Sequence, residues 1–274
     1  MLRQTTRTPP KGKTLSYIFL PTTQVRNRTT RYTLRRMDSR YPEIDAARGI
    51  SVLAMIAYHL CFDLSLYYEY PILPESGGLW LFARITAFVF LTLTGICFSI
   101  SWQRTEPKAR RRKYLKRAGL VFGGGIVVTL VTWIIDPATF VIFGILHLIA
   151  TATLVQWTLR RFGVWNLLIG ALVFATAFFL PMGDFGTPLL LPFGILQKGF
   201  TSVDYYPLLP WLGPAIMGIG IGDLLYVPER KDVLLPLDDV QWPRWLLWTG
   251  RRSLFVYFAH QPVLLLLLWL LLGR

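Results

Sequence analysis

Seven apolar blocks constrain this chain of 274 residues more than any other feature, because they are too long and too continuous for a water-soluble core. About 20 apolar residues in a row is the length that a helix needs to cross a bilayer. A soluble helix would also need a polar face, and runs such as 263–272 have none. The sequence therefore predicts an all-α fold, a polytopic membrane helical bundle of about seven transmembrane helices. The blocks cover residues 44–66, 79–101, 119–135, 139–159, 164–181, 207–226 and 253–272.

The basic composition has two interpretations, nucleic-acid binding or membrane topology. The chain carries 29 Lys and Arg residues against 15 Asp and Glu, a net charge of +14. These cations cluster between the apolar blocks, as expected when cytoplasmic loops retain Lys and Arg beside anionic lipid headgroups. We therefore expect membrane lipids, and no nucleic acid, among the partners.

The distribution of charge among the loops predicts the topology. Ten Lys and Arg residues precede the first block, and the loop 103–117 carries eight. The loop 67–78 carries none, and 182–206 carries only Lys198. With seven crossings, every basic segment falls on one side, which the positive-inside rule makes the cytoplasm. We expect a multi-pass protein of the cell membrane with its N-terminus inside and its C-terminus outside.

The first 40 residues differ from the rest. They are rich in Arg, Thr and Pro and show no sustained apolar period. We predict that 1–40 is a basic disordered cytoplasmic tail and that 41–274 is the transmembrane domain. Met37 begins the string MDSRYPEID just before the first block, so translation from Met37 is an equal alternative for 1–36. No cleavable signal pattern precedes the first span, which we expect to act as its own insertion signal.

The first span carries the densest set of ionisable side chains. Asp45, Arg48, His59 and Asp63 are separated by three, eleven and four residues. At about 100° per residue these positions fall on one stripe of a helix. Ionisable groups are costly inside a bilayer and usually functional there. The stripe therefore predicts that the first span lines a polar site.

The helical rise divides the intramembrane polar residues into two predicted zones. At about 1.5 Å per residue, His59 lies about 21 Å along the helix from Asp45, in the outer half of the bilayer. We expect a cavity crossing the membrane to join an outer zone to an inner one near the cytoplasm. The outer zone comprises His59, Asp63, Arg84 and His147, with Asp204 and Tyr205 near its surface, and the inner zone comprises Arg48 and His260.

The chemistry of the stripe favours proton transfer at His59. An imidazole has an ordinary pKa near 6.5 and suits general-base work at neutral pH. Asp63 lies one helical turn away and would orient the ring. A structural role remains the alternative for each histidine, because such side chains also bond neighbouring helices. No two histidines share a metal-ligand spacing on one helix, so we expect no metal.

Four strings resemble the heparan-alpha-glucosaminide N-acetyltransferase catalytic-domain family. They are RYPEIDAARGISVLAMIAYHLCFDL at the first span, FVIFGILHLIATATL at 140–154, DYYPLLPWLGPAIMGIGIGDLLY at 204–226 and GRRSLFVYFAHQPVLL at 250–265. They occur in the family order from about Arg40 to the C-terminus. The spacing from Arg48 to His59 is also similar to the Arg-x10-His motif of membrane acyltransferases that modify surface polysaccharides.

The resemblance implies transfer of an acyl group, in the family acetyl, from cytosolic acyl-CoA to a sugar amine across the membrane. It makes His59 the catalytic base, Asp63 its orienting partner and Arg48 a contact for the donor phosphates. We expect His147 to join the catalytic residues and His260 the donor site. The predicted substrate-binding residues are Arg84, Asp204 and Tyr205.

We therefore predict a transmembrane acyltransferase that uses acyl-CoA as co-substrate, has no permanently bound cofactor and accepts a glycan or lipid-linked acceptor. Direct transfer and a covalent acyl-histidine both remain open. Characterised relatives have about ten or more spans, and a homodimer would complete a donor tunnel that seven spans leave short. The alternatives are a transporter or proton-coupled channel lined by the same residues and a membrane scaffold without catalysis.

Overall fold

The computed structural model describes residues 41–179, 187–196, 199–226 and 240–273, and every regular element in those ranges is helical. The predicted tail 1–40 lies outside the described residues. The α-helices are α1 Pro42–Tyr68, α2 Gly77–Gln103, α3 Pro107–Ile135, α4 Ile145–Leu159, α5 Asn166–Ala175, α6 Leu208–Leu225, α7 Arg244–Arg251 and α8 Ser253–Leu272. Short 3-10 helices cover Arg160–Trp165, Thr176–Phe178 and Pro188–Phe193.

Six stretches of the described chain are long and apolar enough to cross a membrane. Five of them are α1, α2, α3, α6 and α8, and the sixth is the continuous stretch Ile145–Phe178, which contains α4 and α5. The predicted count of seven is not confirmed by this criterion, because the 3-10 segment Arg160–Trp165 joins the fourth and fifth apolar blocks into one stretch. The coarser prediction of an all-helical, multi-pass membrane protein stands.

The stretch Ile145–Phe178 is not one straight helix. Gly163 interrupts it with φ 52° and ψ −127°, a conformation that glycine adopts readily. Before Gly163, α4 runs beside α6 in the same direction. Ile145 donates its backbone N–H to Asp204 before α6, at 3.1 Å, and Gln156 Nε2 donates to the carbonyl of Ala215 at 3.0 Å.

After Gly163, α5 runs against α6 in the opposite direction. Leu167 at its start packs on Gly220, and Phe174 near its end packs on Gly213. The chain therefore reverses between α4 and α5. With only 10 residues, α5 is too short to be counted alone by a rule based on span length.

Close backbone contact between α2 and α6 forms the centre of the bundle. A Cβ on Gly218 would collide with the carbonyl oxygen of Thr92, and a Cβ on Gly95 would collide with that of Ala215. Small residues permit such approach in membranes, where van der Waals packing drives helix association. Arg84 in α2 lies against Trp211 near the start of α6, and Ser99 near the end of α2 donates to Asp223 near the end of α6, so the two helices run in the same direction.

Large apolar side chains cover much of the outside of the bundle. On α3, Leu120 is 67% exposed and Ile134 is 76% exposed. Such a surface would be unfavourable in water but matches lipid hydrocarbon.

The short helix α7 is docked on the start of α1. A Cβ on Gly250 would collide with the carbonyl of Asp45, and one on Gly49 would lie 2.5 Å from the carbonyl of Leu246. Arg251 Nε forms an ion pair with Asp45 Oδ2 at 2.9 Å. This docking fixes where α8, which follows α7 directly, begins relative to α1.

Candidate functional site

The polar stripe of α1 faces the C-terminal helices along its whole length. Asp45 pairs with Arg251 of α7, and the guanidinium of Arg48 donates to Ser253 Oγ at the start of α8. Further along α1, the remaining two members of the stripe, His59 and Asp63, contact α8. All four predicted stripe positions therefore share one interface.

His59 and His260 form the centre of this interface. Their ring centroids are 4.8 Å apart and the ring planes are inclined by 74°. The predicted separation of His260 into an inner zone, apart from His59, was wrong. Arg48 meets the first residue of α8, so α8 begins already level with Arg48 and reaches the depth of His59 within two turns.

Hydrogen bonding fixes the tautomer of both rings. His59 Nδ1 lies 2.8 Å from the carbonyl oxygen of Met55, and His260 Nδ1 lies 2.5 Å from that of Tyr257. A carbonyl oxygen only accepts hydrogen bonds, so each Nδ1 carries the hydrogen. In the neutral ring, Nε2 of each histidine therefore holds a lone pair and can accept a proton.

Asp63 and Gln261 complete the centre. Gln261 Nε2 donates to Asp63 Oδ1 at 2.7 Å, and Asp63 is fully buried. Gln261 was not predicted as a site residue, although a polar residue beside His260 in an apolar span carries the same signal. Asp63 was predicted to orient His59, whereas its hydrogen bond in the structure is to Gln261.

The end of the α1–α8 interface near the start of both helices is cationic. Besides Arg48, the interior holds Arg117 of α3, which lies within electrostatic range of Arg48 and of Cys97. Arg117 was predicted only as part of a charged loop. Guanidinium groups within electrostatic range of each other suit a phosphate-bearing ligand.

His147 lies in a different environment. Its ring stacks on Phe143 with centroids 5.5 Å apart and meets Phe122 of α3 edge-on at 5.2 Å. The backbone N–H of Gly144 donates to His147 Nδ1 at 3.3 Å, which caps the start of α4. His147 therefore has the opposite tautomer, and neither of the aromatic rings that it contacts belongs to α1 or α8.

The predicted substrate residues Asp204 and Tyr205 lie just before α6. Asp204 Oδ2 accepts from the N–H of Ile145, and desolvation raises the pKa of this carboxyl group to about 6, although that hydrogen bond acts in the other direction. Tyr205 donates to the carbonyl of Leu191 at 2.6 Å, and burial raises the pKa of Tyr205 to about 12. Both side chains thus have intramolecular partners that hold the segment before α6.

Arg84, the third predicted substrate residue, lies among aromatic rings. Its guanidinium carbon is 4.2 Å from the ring centroid of Trp80 and 5.9 Å from that of Trp211. Cation–π contacts of this kind hold a charged head near the membrane surface. Across the described parts of the chain, no group of three His, Cys, Asp or Glu side chains is arranged to hold a metal ion.

These features define a class: a multi-pass helical membrane protein with paired histidines and a buried carboxylate between two of its helices. The family described as heparan-alpha-glucosaminide N-acetyltransferase, catalytic, matches residues 40–262, and the chain belongs to this family. No curated protein matches the chain. No solved structure matches it either.

Proposed function

We propose that the chain is a transmembrane acyltransferase. It moves an acyl group, in the simplest case acetyl, from cytosolic acyl-CoA to an amine or hydroxyl of a sugar or glycolipid at the outer face of the cell membrane. The observation that carries this proposal is the contact between His59 and His260. Two rings with unprotonated Nε2 atoms, in a member of an acetyltransferase family, are suited to take a proton from an incoming nucleophile.

In the proposed reaction, His59 Nε2 removes the proton from the acceptor as its oxygen or nitrogen attacks the thioester carbonyl carbon. A C–O or C–N bond forms and the C–S bond breaks. The electron pair leaves on sulfur as the CoA thiolate, which takes the proton back from His59. His260, packed against His59, belongs in this proposal to the reacting centre and not to the donor site.

The donor would bind from the cytoplasmic side. Arg48 and Arg117 provide two cationic groups for its phosphates. At the start of α3, which precedes Arg117, an open groove of about 500 Å³ offers further cations; it is lined by Glu106, Lys108, Ala109, Arg112, Lys113 and Lys116. Anionic ligands are attracted to such a surface before they reach the interior.

On the outer side, Arg84, Asp204 and Tyr205 remain the proposed acceptor contacts. The indole ring of Trp80, which is 42% exposed beside Arg84, supports this assignment, because an exposed aromatic face can pack on the apolar face of a sugar ring. His147 remains a proposed second-tier residue, although its capping contacts support a structural role equally well. A homodimer remains our proposal for completing the donor path.

We further propose seven crossings with the N-terminus inside. The contacts Arg48–Ser253, His59–His260 and Asp63–Gln261 follow the same order along α1 and α8, so the two helices run in parallel. The first and last spans of a chain are parallel only when the number of crossings is odd. The reversal at Gly163 supports this count, because it lets α5 cross separately from α4.

The test is transfer from radiolabelled acetyl-CoA to membrane glycan extracts by the purified protein in lipid nanodiscs. We expect His59→Ala to lower the rate by about 10²–10⁴-fold, the usual contribution of a general base. Thr158→Ala is the matched control, since Thr158 is exposed and bonds only its own helix at the carbonyl of Val155. Unchanged transfer by His59→Ala, or solute transport without any acyl transfer, would contradict the proposal.

A further inference from the structure

Three buried polar atoms at the α1–α8 interface have no hydrogen-bond partner among the residues that the structure describes. They are Asp63 Oδ2, His260 Nε2 and Gln261 Oε1, and we call these three residues the polar triad. Asp63 is 0% exposed and His260 is 8% exposed. Buried polar groups normally have hydrogen-bond partners, so unpaired atoms on the chain neighbours His260 and Gln261, and on Asp63 to which Gln261 donates, indicate a ligand position.

All three atoms are hydrogen-bond acceptors. Gln261 uses its amide nitrogen toward Asp63 Oδ1, which leaves its Oε1 free. The hydrogen of His260 is on Nδ1, bonded to the Tyr257 carbonyl, which leaves a lone pair on Nε2. A carboxylate oxygen accepts as well. Acceptors cannot satisfy one another, so the partner they require must bring its own hydrogens.

We infer that the polar triad binds an N–H or O–H group of the ligand beside His59, with Gln261 as the residue that positions Asp63. This inference rests on the proposed function, in which the bound group is the reacting amine or hydroxyl of the acyl acceptor. The site for the acyl acceptor is then formed by α8 as well as α1. Gln261 helps to determine which amines or hydroxyls can react.

The geometry explains why such a position is useful. An N–H or O–H group held by Asp63 and Gln261 would lie next to the His59–His260 pair, whose rings are in contact. The nucleophile would then be oriented by atoms that recognise only its hydrogens, and a molecule without hydrogens to donate would leave the acceptors unpaired. Sites built in this way discriminate strongly against analogues that lack the donor.

The chain has only three histidines, so binding can be read directly by NMR of protein labelled with ¹⁵N in its imidazole rings. We expect methylammonium, and in a second arm glycerol, to shift the His260 Nε2 resonance in a saturable manner. Tetramethylammonium and the trimethyl ether of glycerol lack donor hydrogens and should cause no shift. His147, which has the opposite tautomer, is the internal reference.

The arms separate the alternatives. A shift with methylammonium alone assigns an amine, and a shift with glycerol alone assigns a hydroxyl. An equal shift with potassium ions would show a cation site and overturn the inference, as would the absence of a saturable shift with both donor probes. The NMR experiment contains no acyl-CoA, so it is independent of the transfer assay. Binding of methylammonium or glycerol without any acyl transfer would contradict the proposed function alone. Acyl transfer without binding of either probe would contradict this inference alone.

Gln261→Leu tests the positioning role. We expect this variant to bind methylammonium or glycerol about tenfold more weakly, the effect of losing one hydrogen bond to a charged group. In the transfer assay it should raise KM for the acceptor and leave KM for acyl-CoA unchanged. Gln156→Leu is the matched control, because it removes a buried glutamine that bonds only the carbonyl of Ala215. Wild-type affinity in Gln261→Leu, or an equal loss in Gln156→Leu, would overturn the assignment.

Discussion

Contact between two imidazoles makes their contributions inseparable at the residue scale. His59 and His260 lie ring against ring and each is bonded to the carbonyl of its own preceding turn. A positive charge on one ring therefore disfavours protonation of the other, and loss of either ring removes packing from its neighbour. Residues that act as a unit have non-additive effects on rate.

We accordingly predict that His260→Ala lowers acyl transfer about as much as His59→Ala, by about 10²–10⁴-fold. The double variant should be no slower than either single variant. The measurement is the transfer rate from labelled acetyl-CoA for all three proteins, with size-exclusion profiles to show that each is folded. Additive losses would mean that the two rings act independently.

Asp204 gives a prediction about pH. Desolvation raises the pKa of Asp204 to about 6 in the folded protein, above the value of about 3.8 expected when unfolded. Between these values the folded state binds more protons, so stability falls as pH rises from about 4 to about 6. Asp204→Asn keeps an oxygen for the N–H of Ile145 and removes the charge.

We therefore expect Asp204→Asn to be more stable than wild type at pH 7, by at most about 3 kcal/mol for a shift of this size, and to differ little at pH 4. Thermal unfolding of both proteins in one detergent at the two pH values checks this. A variant that is less stable at pH 7 would show that the carboxylate charge itself is needed, for example by a ligand.

At the scale of elements, the docking of α7 on α1 decides where the site forms. Gly250 lies against the carbonyl of Asp45, and the neighbouring Arg251 pairs with the Asp45 side chain. Since α8 follows within two residues, any displacement of α7 also moves Ser253 and His260. The position of His260 along α1 is thus set by a short helix that is not itself one of the candidate spans.

Gly250→Ala should therefore impair both stability and transfer. An added methyl group has no room beside the backbone of α1, and backbone atoms cannot move aside as a flexible side chain would. Gly119→Ala is the matched control, because a Cβ there meets nothing within 4 Å. We expect a lower unfolding temperature and reduced transfer for Gly250→Ala alone; equal behaviour of the two variants would refute the docking argument.

For the molecule as a whole, the sequence predicted what depends on local pattern. The last block, 253–272, coincides with α8, because apolar length alone defines a span. The polar stripe of α1 was also predictable, because helical periodicity places its members without knowledge of neighbours.

Relations between helices were not predictable in this way. The rise per residue gives depth along one helix but not the level at which that helix starts, and His260 was misplaced for this reason. In the described part of the fifth block, predicted over 164–181, the only α-helix is the short α5, since hydropathy does not show where a helix tightens into 3-10 turns. Gln261 was visible in the sequence as a polar residue in an apolar span, but its role depends on its contact with Asp63, which the sequence does not show.

The number of crossings can be tested on whole cells. In a background with Cys61→Ala and Cys97→Ala, single cysteines are introduced at Ser76 before α2, at Lys108 in α3 and at Gly273 after α8, all exposed positions. Seven crossings with the N-terminus inside place Ser76 and Gly273 outside and Lys108 in the cytoplasm. A membrane-impermeant maleimide should then label Ser76→Cys and Gly273→Cys on intact cells, and Lys108→Cys only after permeabilisation. If Gly273→Cys behaves like Lys108→Cys, the number of crossings is even, and the parallel order of α1 and α8 would need a segment that enters and leaves on one side.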